Sequence, residues 1–220
     1  MNLFLVIIYF NFHTFVVSKD AKMKIIYLHG FNSNKDSETG KRIAKPVIKG
    51  KYPEVITLSY NYLNAEKGFE DINKVILETL KIDSNILLIG TSLGGFWANY
   101  FAQKYNLKMI LINPAIVPSL SLGKYVGTVK NYNTGKEEIF SNTASYRNYE
   151  EKIEDNFYRV VILGEQDEVM NSKISEIAFK NKAKVILINE GHRLIKEESF
   201  KVLFDEIFSA SVTFPENLND

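Results

Sequence analysis

Several residue types are scarce in this chain, and each scarcity removes a class of function. The 220 residues include no cysteine, three histidines, five prolines and one tryptophan. Without cysteine there can be no disulfide, no thiolate metal ligand and no thiol nucleophile, and three histidines are too few for a histidine-rich metal centre. The 27 basic and 26 acidic residues nearly cancel, whereas a dedicated nucleic-acid binder usually carries a basic excess. We therefore expect a protein without bound metal or nucleic acid, and the lack of cysteine is compatible with a cytoplasmic location.

The rest of the composition is that of a globular protein. Apolar residues make up 45% of the chain and charged residues 24%, which are ordinary proportions. A chain of this length can bury a substantial core in one domain, which we place at residues 23–220.

Residues 1–17 form a strongly apolar run, which could be the core of a signal peptide, a membrane anchor or an extra strand. No lysine or arginine precedes the run and no small-residue cleavage site follows it, which argues against a signal peptide. The run is shorter than about 18 residues and contains polar side chains, which argues against a membrane span. Met23 directly precedes the first convincing strand, so we treat residues 1–22 as an extension and Met23 as a second candidate start.

From residue 24 onward, short apolar runs alternate with longer segments of helical periodicity. The candidate strands are 24–28, 55–59, 86–89, 109–112, 159–163 and 184–188. The candidate helices are 39–48, 65–80, 93–105, 172–180 and 197–208. The strands are rich in isoleucine, valine and leucine with little polar alternation, as in parallel strands that helices cover on both faces. This order predicts an α/β fold with a doubly wound, mostly parallel six-stranded sheet and helices on both of its faces.

A serine between two glycines lies where the third candidate strand meets a helix. The segment GTSLG occupies residues 90–94. A strand, a tight turn and a helix in this order are typical of a nucleophile elbow, which holds a serine hydroxyl at the carboxyl end of the sheet. Gly90 and Gly94 suit the turn because side chains two residues before or after Ser92 would clash. We therefore predict that Ser92 is a nucleophile.

A serine hydroxyl needs a base within hydrogen-bond reach, and the base needs an acid that orients it. In this architecture the chain order is serine, acid, histidine. His192 follows the last strand and precedes the last helix, at the sheet edge where ligands bind in open α/β sheets. His13 lies in the N-terminal apolar run and His29 precedes Ser92, so His192 is the predicted base.

The acid is expected after strand 159–163, where three carboxylates compete. Asp167 is the predicted acid, because a strand followed by Gly-x-x-Asp projects an aspartate over the end of the sheet. Glu165 and Glu168 are expected to be solvated or helix-starting charges. Glu190, close to His192, is a weaker competitor.

The remaining requirement is a pair of N–H groups that stabilise an oxyanion. One is expected from the residue after the nucleophile, Leu93, and one from the loop after the first strand. In that loop Gly30 allows close approach of the backbone, which makes the N–H of Phe31 the predicted second donor. His29 is then expected to bond within the loop.

Residues 113–156 separate the fourth and fifth strands and are too many for a simple crossover. Long connections inside compact domains are often lids or binding loops. We expect this insertion to shape a substrate pocket. The alternative is a crossover helix with a decorated surface loop.

Several of these segments together resemble a known family. YLHGFNS (27–33), GTSLGGFWA (90–98), INPAIVP (112–118), YNTG (132–135), DEV (167–169) and GH (191–192) are similar to the small α/β-hydrolase-fold esterases of bacteria typified by YqiA. The resemblance spans about residues 23–208. It implies an α/β-hydrolase-like sheet, hydrolysis of carboxylic esters without a cofactor, and a catalytic triad at Ser92, Asp167 and His192. Residues 1–22, Arg193 and Leu194 depart from the family pattern.

The residues therefore predict a serine hydrolase whose partner is a small-molecule ester or thioester with a short acyl group. An acyltransferase would use the same three side chains with an alcohol or thiol in place of water. A binding module without catalysis on the same fold is a third reading, because a fold alone does not determine function.

Overall fold

The centre of the molecule is a sheet of six parallel strands. The structure is a computed structural model that describes residues 6–10, 13–17, 23–48 and 54–212. The strands are β1 (Val6–Phe10), β2 (His13–Val17), β3 (Lys24–Leu28), β4 (Val55–Leu58), β5 (Ile86–Thr91), β6 (Lys108–Ile112), β7 (Gly127–Lys130), β8 (Glu137–Phe140), β9 (Arg159–Gly164) and β10 (Lys184–Ile188). The central sheet has the order β10-β9-β6-β5-β3-β4, and each of its strands runs parallel to its neighbours. The predicted six-stranded parallel sheet is confirmed.

Helices connect the strands of this sheet. They are α1 (Glu38–Ile48), α2 (Ala65–Leu80), α3 (Leu93–Tyr105), α4 (Pro118–Ser121), α5 (Ser172–Phe179) and α6 (Glu197–Val212). The helix predicted at 172–180 ends one residue earlier, and the one predicted at 197–208 continues to Val212. None of the helices in the described ranges is both long and apolar enough to cross a bilayer.

Successive strand residues supply two different cores. In β3, Ile26 and Leu28 join one buried apolar cluster, whereas Ile25 and Tyr27 join another on the opposite face. Trp97 of α3 is fully buried in the first cluster and Phe200 of α6 lies in the second. Burial on both faces explains why the strand sequences lack polar alternation.

The N-terminal apolar run contains two strands that pair with each other. β1 and β2 are antiparallel, with Val6 opposite Val17 and Phe10 opposite His13, and they form a sheet separate from the central one. Residues 1–5, 11–12 and 18–22 lie outside the described residues, so the status of residues 1–22 and the start at Met23 stay predictions.

The insertion between β6 and β9 contains no long crossover helix in its described residues. It comprises α4, two short 3₁₀ turns (Gly123–Tyr125 and Ala144–Tyr149) and an antiparallel hairpin of β7 and β8. The turn of the hairpin docks on the loop after β3, because the N–H of Tyr132 donates to the carbonyl of Asn32 over 2.8 Å. The amide of Asn131 adds a 3.0 Å bond to the carbonyl of Ser33.

The turn between β5 and α3 is crowded by backbone on every side. Ser92 has φ 55° and ψ −117°, a conformation that L-residues rarely adopt. A Cβ atom on Gly90 would lie 2.0 Å from the carbonyl oxygen of Gly94. A Cβ on Gly94 would lie 2.1 Å from the carbonyl oxygen of Leu28 in β3. The two glycines therefore let β5, α3 and β3 meet with no side chain between them.

His29 directly follows β3, and its side chain is fully buried. Its ring stacks on Tyr60 with centroids 4.4 Å apart, and its Nδ1–H donates to the carbonyl of Gly30 over 2.7 Å. Burial lowers the pKa of His29 to about 4, although the bond to Gly30 opposes that shift. The expected hydrogen bond of His29 within its own loop is present.

Replacing Gly94 by alanine is expected to destabilise the protein by more than about 3 kcal/mol, since the added methyl group overlaps the backbone of β3. Gly123→Ala is the matched control, because a Cβ at Gly123 meets nothing within 4 Å. That variant should stay within about 0.5 kcal/mol of the wild type. Urea unfolding followed by circular dichroism measures both changes, and equal losses would contradict the crowding at the turn.

The low pKa of His29 predicts a loss of stability in mild acid. In the unfolded chain His29 binds a proton near pH 6.5, whereas in the native protein it does so only near pH 4. The stability that depends on a neutral His29 is therefore intact above pH 7 and declines as the pH falls from about 6.5 to about 4. Between pH 7.5 and pH 5 it removes about 2 kcal/mol. His29→Asn retains an N–H donor but does not titrate. Urea midpoints at the two pH values should therefore differ less for this variant than for the wild type. An unchanged pH dependence would be inconsistent with a buried neutral His29.

Candidate active site

A cavity of about 530 Å³ opens at the carboxyl ends of the central strands. Its lining comes from the loops after β3, β5, β9 and β10 and from the insertion. The lining includes Gly30, Phe31, Ser33, Thr91, Ser92, Leu122, Tyr125, Tyr132, Glu168, Met170, His192 and Arg193. Ligands bind at this end of open α/β sheets, so Ser92, His192 and Phe31 lie where a substrate can reach them.

Ser92 is one of the residues that line this cavity. Its N–H donates to the carbonyl of Ile112 over 2.9 Å, and its own carbonyl accepts from the N–H of Ala115 over 3.0 Å. These two bonds attach the strained turn to the end of β6. The residue is only 6% exposed, yet it faces the cavity, and a Cβ atom on Gly30 would approach its Cβ to 3.3 Å. Ser92 is therefore buried except where it borders the cavity.

Asp167 and His192 form a close pair, and His192 lines the same cavity as Ser92. The Nδ1 atom of His192 lies 3.0 Å from Oδ1 and 2.9 Å from Oδ2 of Asp167. The carboxylate also accepts the N–H groups of Val169 and Met170, each over 2.8 Å. The side chain of Asp167 is 1% exposed and that of His192 is 13% exposed. An acceptor at Nδ1 keeps the proton on that nitrogen, so the outer nitrogen Nε2 has its lone pair available.

The structure brings Ser92 and His192 to the same cavity without bonding them. Among the described residues, no hydrogen bond links the hydroxyl of Ser92 to the ring of His192. In ligand-free enzymes such bonds are often long and tighten only when substrate binds.

The other carboxylates of these loops have different surroundings. Glu168 is exposed, as expected of a solvated charge, and its Oε2 also accepts the backbone N–H of His192 over 3.2 Å. The carboxylate bonded to Nδ1 of His192 is that of Asp167, and Glu190 has other partners. Its carboxylate is buried and accepts from the N–H groups of Ile195 and Lys196 and from the hydroxyl of Ser199. Burial alone would raise the pKa of Glu190, but these bonds and the charge of Lys196 together lower it.

The two predicted oxyanion donors come from the loop after β3 and from the start of α3. Phe31 lines the cavity, and Leu93 is the first residue of α3. In the described ranges, neither N–H donates to a protein acceptor. Helix starts leave their first N–H groups without partners, which suits them to bind negative charge. The ring of Phe31 is held by Tyr62 and Phe140, with centroids 5.4 Å and 4.9 Å away.

The insertion supplies one wall of the cavity. Leu122, Tyr125 and Tyr132 line it, and the guanidinium of Arg193 lies 4.6 Å from the ring centroid of Tyr132. Arg193 comes directly after His192, so this stacked pair borders the predicted base.

The sequence pattern alone predicts no role for Asn113, the residue after β6. Its side chain contacts the loops of both Asp167 and His192. The sequence feature that could have indicated a role is its position, because Asn113 is a polar residue between a buried strand and Pro114.

The chain resembles proteins whose fold is known. Alpha/beta hydrolase domain-containing protein 10 from mouse superposes with a TM-score of 0.67 at 15% identity, covering 84% of this chain and 88% of that one. A structure from a study of LipS and LipT, two metagenome-derived lipolytic enzymes, superposes with a TM-score of 0.68 at 12% identity, covering 86% and 94%. At these identities the likeness concerns the fold, and it confirms the predicted α/β-hydrolase architecture.

Sequence comparison gives the family. The UPF0227 protein YcfP of Escherichia coli O139:H28 is 28% identical over 151 residues, which cover 68% of this chain and 78% of that protein. A family model described as an uncharacterised protein family, UPF0227, matches residues 24–203. The resemblance predicted from the motifs is thereby confirmed, and the chain belongs to the UPF0227 family.

Proposed function

We propose that this protein is a serine hydrolase that cleaves carboxylic esters or thioesters through an acyl-enzyme at Ser92. The observation that carries the proposal is the pairing of a buried Asp167 carboxylate with Nδ1 of His192, at the cavity that Ser92 lines. A solvated loop histidine would have no such partner. The strained φ of Ser92 supports the proposal, because strain of this kind persists at functional sites.

In the first half of the reaction, the hydroxyl oxygen of Ser92 attacks the carbonyl carbon of the ester. The hydroxyl proton moves to Nε2 of His192, and the imidazolium is stabilised by the Asp167 carboxylate, which itself stays ionised. When the tetrahedral intermediate collapses, the same proton moves to the leaving alcohol or thiol. The acyl group then remains bonded to Ser92.

The second half repeats these steps with water. His192 removes a proton from the water molecule as its oxygen attacks the acyl carbonyl. The bond to Ser92 breaks, the hydroxyl regains its proton from His192, and the carboxylic acid departs. In both halves the N–H groups of Phe31 and Leu93 stabilise the oxyanion, and losing one such donor typically costs about 10²–10³ in turnover.

The cavity is suited to a small substrate. A volume of about 530 Å³ is in the range of small-molecule sites. Its apolar lining at Phe31, Leu122, Tyr125 and Met170 can hold a short acyl chain. The structure from the study of LipS and LipT shares this fold, and the lipolytic activity that the study attributes to these enzymes agrees with ester substrates.

Ser92→Ala is expected to abolish hydrolysis of a short p-nitrophenyl ester and covalent labelling by a fluorophosphonate probe, because the attacking oxygen is gone. Ser141→Ala, which changes an exposed serine outside the cavity, should behave as the wild type. Gel fluorescence after labelling measures both variants. Labelling retained in the Ser92 variant would reject Ser92 as the nucleophile.

Asp167→Asn is expected to lower kcat by about 10²–10⁴, because an amide can leave the wrong nitrogen of His192 protonated. The amide oxygen can still accept the N–H groups of Val169 and Met170, so the loop should keep its shape. Glu165→Gln removes an exposed carboxylate of the same loop and should retain full activity. Steady-state kinetics on one ester compares them. Similar losses in the two variants would contradict the assignment of Asp167.

A further inference from the structure

One buried amide joins the end of β6 to the end of β9 and to the loop after β10. The Oδ1 of Asn113 accepts the N–H of Gly164, at the end of β9, over 2.7 Å. Its Nδ2 donates to the carbonyl of Gly191 over 3.1 Å and to that of His192 over 2.9 Å. Asn113 is 1% exposed. Water therefore cannot replace these bonds without rearrangement of the loops.

The backbone on either side of Asn113 holds the nucleophile. The carbonyl of Ile112 accepts the N–H of Ser92, and the N–H of Ala115 donates to the carbonyl of Ser92. The four residues 112–115 thus contact Ser92 through the main chain and the His192 loop through the side chain of Asn113. Among the described residues, no hydrogen bond joins Ser92 directly to His192. Residues 112–115 link the two through the hydrogen bonds that they make to each.

The position favours asparagine for two separate reasons. Its φ is 44°, in the left-handed region that asparagine tolerates better than most residues. The three groups that face the side chain are one N–H and two carbonyls, so the side chain must both accept and donate. Aspartate would keep the acceptor and lose the donor, whereas glycine would keep the backbone conformation and lose both.

We propose that Asn113 is a positioning residue that sets the separation between the Ser92 hydroxyl and Nε2 of His192. The inference rests on the proposed hydrolase function and concerns the geometry of the same site. Asn113 touches no reacting atom and acts through the backbone of His192.

Hydrogen bonds that do not involve Asn113 also join the loops of Asp167 and His192. The N–H of Glu165 donates to the carbonyl of Ile188, and that of Gln166 donates to the carbonyl of Glu190. These bonds hold the two loops to each other. Loss of the Asn113 side chain should therefore shift the His192–Asp167 pair as a unit relative to Ser92. A displaced base slows proton transfer, and a misplacement of about 1 Å can cost roughly 10²-fold.

The test uses Asn113→Gly and Asn113→Asp in the full chain. Both are expected to lower kcat for a short p-nitrophenyl ester by about tenfold to a hundredfold, with KM changed less than about twofold. The rate of fluorophosphonate labelling should fall in parallel. The low-field NMR signal of the His192 Nδ1 proton should persist, since the bond to Asp167 remains. Asn106→Gly is the matched control, because Asn106 also has a positive φ, of 51°, but lies at the end of α3 outside the cavity.

Unfolding curves identify variants that are folded at the assay temperature, and kcat is taken from those. A folded Asn113→Gly or Asn113→Asp with wild-type kcat and labelling rate would overturn the inference, as would an equal loss in Asn106→Gly. Loss of the His192 Nδ1 signal would also overturn it, because Asn113 would then support the pair itself rather than its position. Failure of the proposed function is distinguishable, since the wild type would then neither hydrolyse the ester nor react with the probe.

Discussion

The candidate site depends on close backbone contact between the Ser92 turn and the two strands beside β5. The carbonyl of Leu28 in β3 leaves no room for a side chain at residue 94, and the carbonyl of Ile112 in β6 accepts the N–H of Ser92. The turn is therefore fixed from both sides, and the strained conformation of Ser92 is maintained by its surroundings. Because the neighbouring strands are parallel, their following loops all reach the same edge. There Phe31 and His192 line the same cavity as Ser92, and Asp167 pairs with His192.

Much of the fold could be predicted because its determinants are local or periodic. The strand at residues 24–28 and the helix at residues 65–80 have the bounds that their apolar patterns indicated. The need for glycine on both sides of Ser92 could be predicted, because steric exclusion at a tight turn depends on residues only two positions away. The order of Ser92, Asp167 and His192 along the chain was also readable, since each follows a recognisable strand. Their catalytic roles remain a proposal.

Other features depend on contacts between distant parts of the chain. The exposed carboxylate of Glu168 accepts the N–H of His192, and this bond exists only because two loops meet across the sheet edge. Asn113 joins residues about 50 and 80 positions away, which no local pattern reveals. The hairpin of β7 and β8 gives no strong apolar signal, because its strands are mostly exposed. Such long-range contacts set the relative positions of the loops, whereas the local sequence pattern predicts only where along the chain the loops occur.

A structure of the protein after reaction with an organophosphonate would show directly whether Ser92 is the nucleophile. We expect a phosphorus atom bonded to Oγ of Ser92, with its phosphoryl oxygen accepting the N–H groups of Phe31 and Leu93. Nε2 of His192 should lie within hydrogen-bond distance of an oxygen on the adduct. An adduct on another residue, or a phosphoryl oxygen pointing away from both N–H groups, would contradict the account.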